Sequence, residues 1–152
     1  MKAKSPKVSE TIKTEVVCPN DTNPMGLLQG GRLVQWMDIA AAICAQSHAE
    51  KICVTASIDS VNFKNSARVG DVITIRARIT RAFRSSMEIF VETHSRNTLS
   101  RENHLINEAY FTFVALDDHA HVTQVAAVRP VTKEEQEQYH NAMKRKKKKS
   151  II

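Results

Sequence analysis

Apolar and polar positions change period along the chain, from two to about 3.6 and back to two. Residues 11–17 alternate, with Ile12, Thr14 and Val16 on one side, and predict a first strand. Residues 18–29 hold Pro19, Asn20, Asp21, Asn23, Pro24 and Gly26, which is loop chemistry. Residues 30–48 form one alanine-rich helical pattern. Between Leu33 and Ser47 its only charged side chain is Asp38. A helix that is apolar nearly all round is expected to be buried on most faces. At about 1.5 Å per residue it is as long as a small domain is wide.

Period two returns after the helix. Ile52, Val54, Ala56 and Ile58 alternate with Cys53, Thr55, Ser57 and Asp59. After a turn through residues 64–71, Ile73, Ile75, Ala77 and Ile79 alternate with Thr74, Arg76, Arg78 and Thr80. Met87, Ile89 and Val91 alternate with Glu88 and Glu92, and Ala109, Phe111, Phe113 and Ala115 with Glu108, Tyr110 and Thr112. Such alternation predicts strands with one buried face. The short stretches 81–84 and 95–103 suit hairpins, hence a mostly antiparallel sheet. Thr132 and Glu135, just after Pro130, form a capping box that opens a last helix. Glu134, Glu135 and Glu137 stand near its start and lysines at its end, as the helix dipole favours. The expected organisation is a flexible arm over residues 1–10, one domain over 11–131, and a C-terminal helix with a basic tail over 132–152. One long buried helix followed by about four antiparallel strands predicts an α+β domain. Its curved sheet wraps the central helix, the hotdog arrangement.

Composition narrows the function classes. At 152 residues there is room for one modest core. With 42% apolar and 25% charged residues, the chain is not a disordered, collagen-like or disulfide-scaffold sequence. No apolar run approaches the ~20 residues of a membrane helix, and residues 1–10 lack the apolar core of a secretory signal. The net charge of +6 resides in the tail, where Lys144, Arg145, Lys146, Lys147, Lys148 and Lys149 follow one another. The rest of the chain balances sixteen basic against sixteen acidic residues, so the body carries no global basic signature for nucleic acid. The three cysteines, Cys18, Cys44 and Cys53, form no CxxC pair, which argues against a zinc ribbon or thioredoxin-like motif. Reduced thiols without a signal predict a cytosolic compartment. Cys44 reads as a small buried hydrophobe.

Asp38 is the first candidate for chemistry. Val34, Ala41, Ala42 and Ala45 flank it at helical spacing. A carboxylate among apolar neighbours is costly unless paired, so Asp38 reads either as a functional carboxylate or as a structural ion pair or dimer contact. Asn23, Gly26, Gln29, Gly30 and Gly31 lead into the helix start. Unbonded N–H groups there can hold an anion, and glycines permit close approach to the backbone. The plain alternative is a loop with a flexible helix start. The segment is neither GxGxxG nor a P-loop, and there is no Gly-x-Ser-x-Gly elbow. None of His48, His94, His104, His119, His121 and His140 stands at metal-ligand spacing, so no metal is expected. His119 and His121 read as surface residues. Arg84, Ser85 and Ser86 form a polar turn suited to phosphate, or simply a solvated hairpin. The lysine run could attract acidic lipid or nucleic acid, or be a solvated helix end.

These features fall in an order that resembles a family. Residues 23–31 (Asn-Pro-Met-Gly-Leu-Leu-Gln-Gly-Gly), followed by Trp36-Met37-Asp38, are similar to the acyl-CoA thioesterases of the hotdog superfamily. The nearest group is the short bacterial acyl-CoA hydrolases and their tandem-domain cytosolic relatives in animals. Residues 54–59 resemble that family's first strand after the helix. Residues 61–63 with 69–71 resemble its next turn, and residues 84–88 and 111–116 complete the likeness over about residues 10–135. The resemblance implies that Asn23 and Asp38 act in thioester hydrolysis, at a site where the loop of one subunit faces the helix of another. It implies Asp38 as base or nucleophile, the N–H groups near Gly30 and Gly31 on the thioester oxygen, and Asn23 orienting water or polarising the carbonyl. Thr55, Ser57, Arg84, Ser85 and Ser86 would contact coenzyme A. It also implies an acyl-CoA substrate, no metal or redox cofactor, and a homodimer, further assembled as a trimer of dimers. Gln29 stands where relatives often have histidine or an aromatic residue, and Ser66 where proline is common. The lysine tail lies outside the shared pattern. A non-catalytic acyl-CoA or lipid-binding module on the same fold is the alternative. A hotdog dehydratase is disfavoured, since its histidine-containing motif is not evident.

Overall fold

The computed structural model describes residues 1–150, Ser150 without its side chain; Ile151 and Ile152, the end of the expected tail, lie outside the described residues. In chain order the elements are β1 (Thr11–Val16), α1 (Gly30–Ala49), β2 (Ile52–Phe63), β3 (Val72–Ala82), β4 (Ser86–Arg96), β5 (Asn103–Leu116) and α2 (Lys133–Ser150). The strands form one antiparallel sheet in the order β1-β3-β4-β5-β2. Helix α1 contacts all five strands. This is the hotdog fold that the periodicity predicts.

The core follows from the two periods. Leu33, Met37, Ala40, Ala41, Cys44 and Ala45 recur at helical spacing and are buried. Alternate residues of β3, β4 and β5 meet them: Ile73, Ile75, Ala77 and Ile79, then Met87, Ile89 and Val91, then Ala109, Phe111, Phe113 and Ala115. Alanines on the helix let it lie close to the sheet, while each large apolar side chain contributes roughly 1.5–3 kcal/mol by burial. The helix ends at Glu50, whose left-handed φ of 55° closes a bond from its N–H to the Gln46 carbonyl.

Three expectations change. First, the apolar set of β2 is not buried: Ile52, Val54 and Ile58 are exposed, and only Cys53 turns fully inward. The cause is position, since β2 is a sheet edge and its register slips twice, at Thr55/Ser57 and at Asp59/Asn62. Second, α1 leaves an open stripe with Gln35, Ile39, Ile43 and Gln46 exposed beside that edge. Third, residues 1–10 hold contacts of their own. Lys4 donates to the His48 carbonyl (2.7 Å) and to Glu50 (2.9 Å), Lys4 bridges Val128, and Pro6 and Ser9 are buried.

Helix α2 opens with the expected capping box. The Thr132 hydroxyl accepts from Glu135 N–H (3.1 Å) and Glu135 accepts from Thr132 N–H (3.0 Å). It crosses the outer face of the sheet. Arg145 there makes a two-point contact with the buried Glu88 (Nε 2.9 Å, Nη2 2.6 Å), Arg81 lies 4.0 Å from the Tyr139 ring centroid, and Arg78 reaches Glu134 (3.3 Å).

Candidate active site

Asp38 lies two turns into α1, on the side facing β2. Its Oδ1 accepts a hydrogen bond from the Thr55 hydroxyl at 2.7 Å. The carboxylate is half-buried, so it avoids the full desolvation cost and keeps one oxygen available. A charge-assisted O–H···O⁻ bond of this length fixes its rotamer. Thr55, expected among the coenzyme A contacts, is the residue that holds Asp38. No ion pair to Asp38 exists among the described residues, which sets aside the structural ion-pair reading within one chain.

Asn23 sits in the loop before α1. Its Oδ1 accepts from Met25 N–H (2.9 Å) and Leu27 N–H (3.2 Å), and its backbone pairs with Leu27 and Gly26. The oxygen is therefore spent on the loop, and Nδ2 is left as a donor with no partner among the described residues. Such an amide polarises a carbonyl by donating to it.

Gln29 precedes the first helical residue and folds back, its Nε2 on the Thr22 carbonyl (2.9 Å) and its N–H on the Asp21 carbonyl (2.9 Å). No side chain caps α1. Among the described residues the N–H groups of Gly30, Gly31 and Arg32 therefore have no acceptor at the positive end of the helix dipole. Gly30 faces the Phe63 ring so closely that a Cβ would meet Cζ at 3.2 Å, whereas Gly31 faces open space. Only Gly30 needs its missing side chain for a close approach. The buried Asp21, which sequence reasoning passed over, ties loop to helix by accepting from Cys18 N–H (2.9 Å) and pairing with Arg32 (3.3 Å).

Asn23, Gly30 and Phe63 line one mostly apolar cleft of about 270 Å³, with Leu28, Leu33 and Ile106 in its wall. Asp38 does not line it. Eight residues of helix, about 12 Å, separate Asp38 from Gly30. Within one chain the loop and the carboxylate are apart: Asn23 shares its cleft with Phe63 at the end of β2, and Asp38 meets Thr55 on the same strand. Of the remaining candidates, Ser57 and Ser86 share a second cleft on the outer face of the sheet. Arg84 and Ser85 sit in the β3–β4 turn, where their carbonyls accept from Val125 and Ala115 N–H (3.0 Å each). Among the described residues no group of three or more His, Cys, Asp or Glu side chains is placed to hold a metal ion, and no helix is long and apolar enough to cross a membrane.

A long helix wrapped by a five-stranded antiparallel sheet, with an asparagine loop before the helix, defines a hotdog domain. The chain belongs to the thioesterase superfamily, whose family model matches residues 25–100. It is 36% identical over 138 residues to an acetyl-coenzyme A thioesterase of Mus musculus; the match covers 91% of this chain but 25% of the mouse protein, so the chain spans about a quarter of that relative. The crystal structure of an apo-hexameric acyl-CoA thioesterase superposes with a TM-score of 0.96 at 40% identity, covering 99% of this chain and 96% of that one. An acyl-CoA hydrolase from Staphylococcus aureus, solved with butyryl coenzyme A, coenzyme A and coenzyme A disulfide, gives a TM-score of 0.91 at 35% identity over 98% of this chain and 91% of its own. That hydrolase has also been characterised with an aspartate, an asparagine and a threonine each replaced by alanine.

Proposed function

We propose that the protein hydrolyses acyl-coenzyme A thioesters to a free carboxylic acid and coenzyme A, in the cytosol, with no metal or redox cofactor. The observation that carries this reading is the Asp38–Thr55 pair together with the Asn23 loop. The asparagine, aspartate and threonine replaced in the Staphylococcus aureus hydrolase are separated by fifteen and seventeen positions, the separations of Asn23, Asp38 and Thr55 here.

The chemistry needs few parts. The Asp38 carboxylate takes a proton from a water that attacks the thioester carbon, or attacks that carbon itself to give an anhydride that water then hydrolyses, and Thr55 keeps it aimed. The developing oxyanion is met by Asn23 Nδ2 and by the unspent N–H groups at Gly30 and Gly31. Collapse expels the coenzyme A thiolate, a better leaving group than an alkoxide because a thiol is more acidic than an alcohol. Gln29 shapes this site by fixing the loop. Arg84 and Ser85 serve the polar end of coenzyme A. The three free cysteines are in keeping with a reducing compartment.

The site is completed by a second copy. The open β2 edge, with Ile52 65% and Ile43 46% exposed beside it, suits pairing with the same edge of a partner. Such a homodimer brings the Asn23 loop of one protomer toward Asp38 of the other, and three dimers make the hexamer. Release of free thiol from a panel of acyl-CoAs, short to long, tests the reading. Turnover that falls about 10²–10⁴-fold in Asp38→Ala is expected. Coenzyme A ester binding without turnover on any member would favour the binding module and return Asp38 to a structural role.

A further inference from the structure

Six consecutive basic residues, 144–149, lie in the last turns of α2, and the rest of the chain balances its charges. The helix divides the six between two faces. Ala142, Arg145 and Lys149 recur at helical spacing on the side that meets the sheet. The buried Ala142 lets the helix approach, Arg145 holds the buried Glu88, and Lys149 pairs with Asp59 and donates to the Thr112 hydroxyl (3.2 Å). Lys146 lies beside them, its Nζ 3.8 Å from the Phe83 ring centroid. Arg145, Lys146 and Lys149 are thus engaged with the body of the domain.

Lys144, Lys147 and Lys148 form the other face. Their spacing of i, i+3 and i+4 gathers them within about 100° of the helix circumference, centred opposite the docked stripe. All three are exposed, and none has a partner among the described residues. The carboxylates under this half of the helix, Glu88 and Asp59, are taken by Arg145 and Lys149. Glu137, on the outward side of the same helix, stands two turns back, about 10 Å along the axis from Lys144. Like charges at these spacings destabilise a helix, and the helix dipole offsets that only within the last turn. The stripe therefore lacks a counter-charge of its own.

Its chemistry selects the partner. Lysine is a compact, hydrated point charge without the planar fork with which arginine grips a single phosphate. No arginine, phenylalanine, tyrosine or tryptophan stands on the outward stripe, so nothing there stacks on bases. No apolar side chain stands on it among the described residues, so nothing there inserts into hydrocarbon. What remains is a diffuse positive field, the complement of a diffuse negative surface rather than of a shaped ligand. We propose that Lys144, Lys147 and Lys148 dock the protein on the surface of an anionic phospholipid bilayer. The attachment is peripheral and electrostatic. It does not rest on the thioesterase reading, because none of these side chains belongs to the candidate active site.

The test is co-sedimentation of the full chain with vesicles of phosphatidylcholine alone and of phosphatidylcholine with about one-third phosphatidylserine. Wild type is expected to bind the anionic vesicles and not the neutral ones, and to be released as added salt shortens the screening length. Lys144→Gln with Lys147→Gln and Lys148→Gln should bind about a hundredfold more weakly, since each lysine near such a surface contributes roughly fivefold. Glutamine keeps the helix propensity of lysine, so the loss reads charge rather than folding. The control is Lys2→Gln with Lys7→Gln and Arg101→Gln, which removes the same charge from exposed positions elsewhere and should leave binding near the wild-type level. Failure of wild type to bind anionic vesicles at low salt, equal binding to neutral vesicles, or an equal loss in the control overturns the proposal. Binding to polyuridylate RNA that survives salt at which vesicle binding is lost overturns it too, and assigns the stripe to nucleic acid. Sedimentation reads binding without turnover, so an inactive protein that still binds anionic vesicles would sink the hydrolase reading and leave this one standing.

Discussion

The surroundings of Asp38 hold its carboxylate in place through a hydroxyl rather than a counter-charge. A hydroxyl donor fixes the carboxylate while leaving its charge, where an arginine partner would have absorbed it. Its singularity in an apolar helix was visible in the sequence. Its partner was not, because Thr55 is seventeen positions away and meets it only when β2 folds back along α1. The two helix-start glycines looked equivalent in sequence and are not. Gly31→Ala fills open space inside a helix, so a gain of up to about 1 kcal/mol in unfolding free energy is expected by urea titration. Gly30→Ala pushes the Phe63 ring into the cleft it shares with Asn23, and a raised KM is its expected signature. His48 offers a pH test. Burial pushes its pKa below the usual 6.5, outweighing the Nε2 bond to the Ala126 carbonyl (2.7 Å), and Lys4 adds to the depression. A depressed folded-state pKa means that the neutral ring stabilises the fold. That contribution is full above pH 6.5 and fades as pH falls below it. Thermal melts from pH 8 to 5 should therefore show a steeper loss for wild type than for His48→Gln. Parallel curves would remove His48 from the account.

At the scale of elements, strands and helices were legible wherever one face meets the core. The alternation in β3 and β5 matched their burial, whereas β4 is buried on both faces from Met87 to Val91, and the Thr132–Glu135 capping box marked the start of α2. Reading failed where burial depends on a distant partner. Glu88 looked like an outward-facing strand residue, yet it is buried because Arg145, 57 positions on, descends on it from α2. Breaking that pair by Arg145→Met leaves a buried carboxylate uncompensated, which should cost about 3–5 kcal/mol in urea unfolding. Glu88→Gln combined with Arg145→Met should recover much of it. A loss in the single variant no larger than that of an ordinary surface change would mean that α2 is docked by its other contacts. The apolar run of β2 was also misread. Period two shows that a strand has an apolar face, but not whether its own sheet or another chain covers that face.

The whole molecule makes sense as part of an assembly. The lone-chain fold leaves a strand edge unpaired and exposes Ile39, Ile43, Ile52 and Val54 together beside the candidate site, the kind of edge that proteins normally cover. Ile52→Asp places a charge on that edge while leaving the chain's own core untouched. Sedimentation should show it shifting toward smaller species, with activity falling alongside. In the proposed dimer one hydrolytic site draws Asp38 from one copy and the Asn23 loop from another. Mixing Asp38→Ala protein with Asn23→Ala protein, after exchange of subunits, is the test of this sharing. Each variant alone should be nearly inactive. In random two-fold pairs, half the dimers carry both lesions in one site and none in the other, so thiol release should return to about a quarter of the wild-type rate. A mixture that exchanges subunits yet stays as inactive as its separate components would contradict the shared site.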